Sequence, residues 1–183
     1  MTKKKVKQLM DKAFRHFKVA NVYMVYDKSY YNLIPIKMDK KLFLAIDEDD
    51  FIFDGFRISR FKDIKKFRIK NDKCDEIIKN EGLCEGFVVP EIDITSWQAV
   101  FEDLKQVGKN IIVEYKTAEG TSDSFTIGKI VSVYKNYLYM HHFDADGVWE
   151  SKPSRIPYNE VTSVTFDSRY VNIFSKYISD PPQ

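Results

Sequence analysis

The sequence is poor in the residue types that most often carry chemistry. It has two cysteines, Cys74 and Cys84. They form no C-x-x-C pair and no zinc spacing. A reducing compartment is the simpler reading, with a local Cys74–Cys84 disulfide the lesser one. There are three histidines, His16 and the pair His141-His142. The seven glycines are scattered, so no run of them cradles a phosphate. Residues 117–124, "TAEGTSDS", hold a single glycine and read as a loop. Ser122, Ser124 and Ser132 lack the G-x-S-x-G context of an activated nucleophile. No stretch approaches the roughly 18 apolar residues of a membrane span. The start, "MTKKKVKQLMDKAF", contains no apolar run of signal-peptide length. Together these gaps lead to the expectation of a soluble cytoplasmic protein with no cofactor, no resident metal and no enzymatic chemistry.

Packed cores can be built from what is present. Hydrophobic residues make up 44% of the 183, which argues against general disorder. High Lys, Ile, Asn, Phe and Tyr resembles the output of an AT-rich bacterial genome. The net charge is only +2, so no global field announces a nucleic-acid or membrane partner. The halves differ, however. Residues 1–90 carry 20 Lys+Arg against 14 Asp+Glu, and residues 91–183 carry 9 against 13. A basic half thus precedes an acidic one.

The two halves also share a pattern. Val6, Leu9, Met10, Ala13, Phe14 and Phe17 recur at helical period, opposite Lys3, Lys4, Lys7, Asp11, Lys12 and Arg15. A second helix is expected from "TSWQAVFEDLKQVG". Thr95 and Gln98 fit a capping box, Trp97, Val100, Phe101, Leu104 and Val107 form the apolar face, and Gly108 suits the position past the end. A β-branched and aromatic strand follows each helix, at 20–26 and 109–115, with Asn21 set against Asn110, Val22 against Ile111 and Tyr26 against Tyr115. A hairpin comes next, aligning Ile36 with Val131, Met38 with Val133 and Phe43 with Leu138, and turning at Lys40-Lys41 and Lys135-Asn136.

The closing segment gives the clearest match. Phe61 aligns with Tyr158, Asp63 with Glu160, Ile64 with Val161, Phe67 with Val164 and Ile69 with Phe166. The expected structure is a strand end, one tight turn capped by the acid, and a last strand whose two core residues three apart mark a bulge. Pro157 fits the turn start. Asn71 or Asp72, and Asp167 or Ser168, are placed to cap a short closing helix. The expected fold is therefore mainly β with helices: two tandem repeats of a helix plus a five-stranded small barrel, at 1–83 and 94–183. A linker at 84–93 carries Gly86 and Pro90, and the tail "SDPPQ" is expected to be unstructured.

A leading helix, five strands and a one-turn helix before the last strand resemble the Sm-like branch of the SH3-like small barrels. "FTIGKIVSVYKNYLYM" is similar to that family's first motif, with Gly128 at the glycine position and Ile130 and Val133 at the apolar ones. The RNA-reading residues do not carry over. Tyr134 and Leu138 stand where RNA-binding members have Asp and Asn, and Arg155-Ile156 lacks the glycine of the second motif. The resemblance implies a binding module that can self-associate by edge strands. Fold alone does not choose the ligand.

Four stretches invite a functional reading. "HHFDADG" offers His141, His142, Asp144 and Asp146 to a metal, but adjacent strand residues face opposite ways and the rest reads as a hairpin loop. "DEDD", residues 47–50, reads as a solvated loop rather than a cation site. Tyr23, Tyr26, Tyr30, Tyr31, Tyr134, Tyr137 and Tyr139 are set as core and rim packing, with base stacking or a protein anchor as the functional alternatives. Lys62, Lys65, Lys66, Arg68 and Lys70 form the best electrostatic feature, with Lys66, Arg68 and Lys70 expected in an outward row that could follow a phosphate backbone. The helix cations extend that row if the helix lies on the same side. The leading expectation is a protein–protein interaction or assembly scaffold. The alternative is single-stranded RNA or DNA binding through the basic half.

Overall fold

Ten strands and four α-helices are formed by the described residues, 1–85, 87–116 and 123–181, of the computed structural model. Gly86, residues 117–122, which hold Ser122 and most of the expected loop 117–124, and Pro182 and Gln183 lie outside them. The chain is mainly β, and it divides into two compact units, Met1–Glu91 and Ile92–Gln183.

The first unit opens with α1 (Lys3–Arg15), capped by the Thr2 hydroxyl, which accepts from the Lys5 amide at 3.3 Å. Its buried stripe is Val6, Met10 and Ala13. The stripe is narrower than the periodicity suggests, because Phe14 is exposed and Phe17 adopts φ 47°, turning the chain out of the helix. The strands are β1 (Ala20–Met24), β2 (Tyr30–Met38), β3 (Leu42–Asp49), β4 (Ile52–Arg60) and β5 (Ile64–Ile69). They are antiparallel and lie in the order β5-β1-β2-β3-β4. A one-turn 3-10 helix, Phe61–Asp63, precedes β5, and α2 (Cys74–Asn80) follows it. The α1 stripe closes over Ala20, Val22, Met24, Leu33, Phe43, Phe61, Ile64 and Phe67.

The second unit repeats this order with α3 (Trp97–Val107), β6 (Ile111–Lys116), β7 (Asp123–Val133), β8 (Tyr137–Phe143), β9 (Ser154–Pro157), β10 (Val161–Phe166) and α4 (Arg169–Phe174). Its neighbours run β10-β6-β7-β8-β9. Trp97, Val100, Phe101 and Leu104 of α3 are buried, as are Val113, Leu138, Met140, Ile156, Val161 and Val164. Gly108 ends α3 at φ 72°, the left-handed conformation that glycine adopts without a Cβ clash.

Register ties the halves together more tightly than sequence does. The β2–β3 ladder slips between Pro35 and Lys37, and the β7–β8 ladder between Ile130 and Ser132. The extra residues are Ile36 and Val131, the pair the sequence alignment sets together. The last strands bulge too. β5 holds Lys65 as an extra residue between Lys66↔Tyr23 and Ile64↔Met24, and β10 holds Thr162 between Ser163↔Glu114 and Val161↔Tyr115. Ile64, Phe67, Val161 and Val164 are all buried, as the pattern requires.

Several local expectations need correction. The first strands align two residues away from the sequence match: Val22 pairs with Phe67 and Val113 with Val164, so Val22 is equivalent to Val113 rather than Ile111, and Met24 to Tyr115. Ser96, not Thr95, caps α3, its hydroxyl accepting from the Ala99 amide at 3.1 Å. The Thr95 amide instead donates to the Asp93 carboxylate at 2.8 Å. Asp63 accepts from the Arg60 guanidinium beside it. Residues 47–50 are not a solvated loop. Asp47 and Glu48 belong to β3, Asp47 pairs with Arg57 at 2.9 Å, and Glu48 is buried. Only Asp50 and Phe51, at φ 46° and 71°, make the hairpin turn. Cys74 and Cys84 are both free.

Gly128 has a steric reason. It pairs with His142, and a Cβ on it would run into the His141 carbonyl and the His142 Cα. Two substitutions test this packing in urea unfolding. Phe67→Ala is expected to cost about 3–5 kcal/mol through the cavity it leaves. Gly128→Ala is expected to cost about 1–3 kcal/mol, because backbone rather than a yielding side chain must move.

Candidate functional site

The structure separates the five cations singled out by the sequence. Lys62 is exposed on the 3-10 turn. Lys65 is the bulge residue, exposed, and its carbonyl accepts from the Met1 ammonium at 3.4 Å. Lys66 and Arg68 leave β5 on the outer face, since Phe67 between them is in the core. Lys70 lies beyond β5, so the expected row of three is a row of two. Its ammonium stands 4.0 Å from Glu48 and 3.7 Å from Asp72. Burial pulls the Lys70 pKa down, but Cys74, Glu48 and Asp72 outweigh burial and raise it. Lys70 is a structural cation.

The helix cations do not extend the row. The α1 stripe packs on the inner face with Val22 and Phe67, whereas Lys66 and Arg68 leave from the other face. Lys7 is occupied, donating to the Lys40 carbonyl at 3.1 Å and lying 4.8 Å from the Phe61 ring.

What shares the outer face with Lys66 and Arg68 is set by register. Lys66 pairs with Tyr23, and Tyr23 with Tyr30. Arg68 pairs with Asn21, and Asn21 with Asn32. Two rows therefore cross β5, β1 and β2, each with a cation at the β5 end. The Lys66 ammonium lies 5.0 Å from the Tyr23 ring centroid, and the Tyr23 and Tyr30 rings are 5.2 Å apart. The Asn21 amide donates to the Asn32 carboxamide oxygen at 2.8 Å, so these half-buried groups satisfy each other. Tyr23 and Tyr30 were legible as aromatics. Their place beside Lys66 was not, because sequence spacing does not say which strand borders β5.

The equivalent face of the second unit is different. By the register above, Ser163 and Thr165 stand where Lys66 and Arg68 do, Glu114 stands for Tyr23 and Phe125 for Tyr30. Ile112 and Ile127 replace Asn21 and Asn32, and they pack with Phe143 under Val171 of α4. In the first unit the position of Val171 is Cys74 and that of Phe143 is Glu48, with the thiol 3.9 Å from the carboxylate. Burial and then Glu48 push the Cys74 thiol pKa up, which disfavours the nucleophilic thiolate.

The histidine–aspartate stretch is accounted for by structure. His141 is buried with Nε2 at 2.6 Å from the Glu150 carbonyl, and His142, on the other face, lies 2.9 Å from the Ser154 hydroxyl. Asp144 accepts from the amides of Asp146 and Val148, both at 2.9 Å, and closes the loop. Among the described residues, no group of three or more His, Cys, Asp or Glu is placed to hold a metal ion. No helix formed by them is long and apolar enough to cross a membrane.

A second surface feature is formed by β8, β9 and Tyr134, the residue after β7. Tyr134 stacks on Tyr137 at 4.8 Å, and Tyr139 meets both rings edge-on at 6.1 and 5.9 Å. The Arg155 guanidinium covers Tyr137 at 4.1 Å. Tyr134 is 46% exposed. The cluster is anchored by Tyr158, whose hydroxyl donates to the Tyr134 carbonyl at 2.8 Å while its ring stacks on Phe101 at 5.6 Å.

No protein-family model, no curated protein and no solved structure matches this chain.

Burial, and then Glu102, raise the Tyr158 pKa from 10.0 to about 12. The folded state therefore holds this proton more tightly than the unfolded state does. The resulting stability is complete below pH 10 and is lost as the pH rises towards 12. Tyr158→Phe is expected to cost about 0.5–1.5 kcal/mol near neutrality through the lost hydrogen bond. In urea unfolding across alkaline pH, the gap between wild type and variant should shrink over that window. A gap independent of pH would place the hydroxyl in water.

Proposed function

We propose that the chain is a non-enzymatic binding protein of the cytoplasm, built from two tandem small barrels of SH3-like or Sm-like type and serving as a protein–protein interaction or assembly scaffold. Support for the barrels comes from the element order: a leading helix, five strands and one tight turn before the last, twice. The scaffold role is carried by the Tyr134, Tyr137, Tyr139 and Arg155 cluster. Tyrosine and arginine dominate protein interfaces, because each buries a large area and keeps a polar group for pairing. Here the rings already hold one another, so little side-chain freedom remains to be lost on binding. Arg155 sits on β9, which ends the strand order of its unit, and a terminal strand offers backbone groups to another chain.

A second copy of this chain is the partner to test first. Sedimentation velocity over a wide concentration series should show the mass rising with concentration. The rise should be lost in Tyr134→Ala/Arg155→Ala, two surface changes that leave the core intact. A wild type that stays monomeric throughout, indistinguishable from the variant, would rule out self-association through this cluster.

A further inference from the structure

We infer that the outer face of β5, β1 and β2 in the first unit is a binding surface for single-stranded nucleic acid, separate from the tyrosine cluster of the second unit. Lys66 and Arg68 take the phosphates and Tyr30 takes a base.

The geometry supplies both halves of such a site. Lys66 and Arg68 are alternate residues of one strand, so their stems leave the sheet roughly 6.8 Å apart. That is the scale of one nucleotide step in an extended chain. Tyr30 lies two strands away in the Lys66 row and is 48% exposed. Tyr23 stands between them, its ring held by Lys66 at 5.0 Å and bracing Tyr30 at 5.2 Å. A strand laid along β5 would put its phosphates on the cations and its bases across β1 towards Tyr30. Cationic tracks flanked by aromatic platforms bind single strands because every base has a face to stack. A duplex keeps its bases stacked on each other and cannot use the tyrosine. No acidic residue occurs in either row, and residues 1–90 carry six more cations than anions.

The competing explanation is that cations on a terminal strand merely discourage aggregation. It accounts for Lys66 and Arg68. It does not account for Tyr30, since an exposed tyrosine makes a surface more adhesive. The molecule also holds its own comparison. The second unit has the same strand order and the same bulge, yet its equivalent positions are Ser163, Thr165 and Glu114. Ser163 and Thr165 are buried, and Phe125 at the Tyr30 position is itself an exposed aromatic, so what is particular to the first unit is the exposed pair of cations beside Tyr23.

Fluorescence anisotropy would test this with a fluorescein-labelled mixed-sequence RNA, the same sequence as single-stranded DNA, and the DNA duplex, each over a potassium chloride series. The full chain should bind a single strand more tightly than the duplex, and binding should weaken with salt. Binding of either single strand supports the inference, and the tighter of the two names the sugar. Lys66→Ala/Arg68→Ala should lower the slope of log affinity against log salt by about 1.4, the value for two phosphate contacts on a single strand. Tyr30→Ala should weaken binding roughly 5- to 100-fold and leave the slope unchanged. Lys3→Ala/Lys4→Ala, on α1, should change neither. No binding by wild type at the lowest salt would overturn the inference, as would duplex binding of equal strength or a neutral Tyr30→Ala.

Discussion

Ile64 and Phe67 both point into the core although they lie three residues apart on one strand. Alternation forbids this unless an extra residue intervenes. Lys65 is that residue, and much else follows from it. The bulge lets β5 follow directly on the 3-10 turn with Phe61 and Ile64 already buried, then resets the phase so that Phe67 lies under α1. The same reset sends Lys66 and Arg68 outward into register with Tyr23 and Asn21. Without the extra residue, one of the two apolar side chains would face water. The second unit solves the same problem with Thr162 between Val161 and Ser163.

On this shared frame the two units diverge at their outer faces. In the second, Val171 of α4 covers Ile112, Ile127 and Phe143, and the Phe174 ring stacks on Phe143 at 5.5 Å. That closing helix adds an apolar layer. In the first, the corresponding positions hold Cys74, Asn21, Asn32 and Glu48. Polar groups placed there need partners: Asn21 and Asn32 bond to each other, and Glu48 takes the Phe51 amide at 2.8 Å with Lys70 nearby. The α2 helix is tied down by a polar contact, with Asp75 accepting from the Val19 amide at 3.0 Å and from Lys18 at 2.9 Å. One unit uses this face for stability, and the other leaves part of it to water.

The inner faces were legible from sequence. Hydrophobic period identified α1 and α3, and the pairs Ile64/Val161 and Phe67/Val164 identified the bulged last strand. These signals are local, because a buried position must be apolar whatever lies across from it. The errors arose where a partner distant in the chain decides. Asn21 and Asn110 look equivalent by eye, but pairing with β5 and β10 sets the true match two residues away. Lys70 continues an alternating row on paper, but Glu48 on β3 and Asp72 draw it into an ion-pair cluster. Asp47 and Glu48 read as solvated acids because nothing in the sequence shows Arg57 beside one and the Phe51 amide beside the other.

By itself the sequence determined a mainly β chain with a duplicated order of elements and the turns at Lys40-Lys41 and Lys135-Asn136. Each depends on backbone conformation or side-chain period over a few residues. Tertiary structure alone decided which surface residues meet: Tyr23 and Tyr30 beside Lys66, and Arg155 over Tyr137. A β-sheet assembles its faces from strands far apart in sequence, and a one-residue change of register moves every side chain to the opposite side. The composition of a face is therefore set by pairing, not by any single segment.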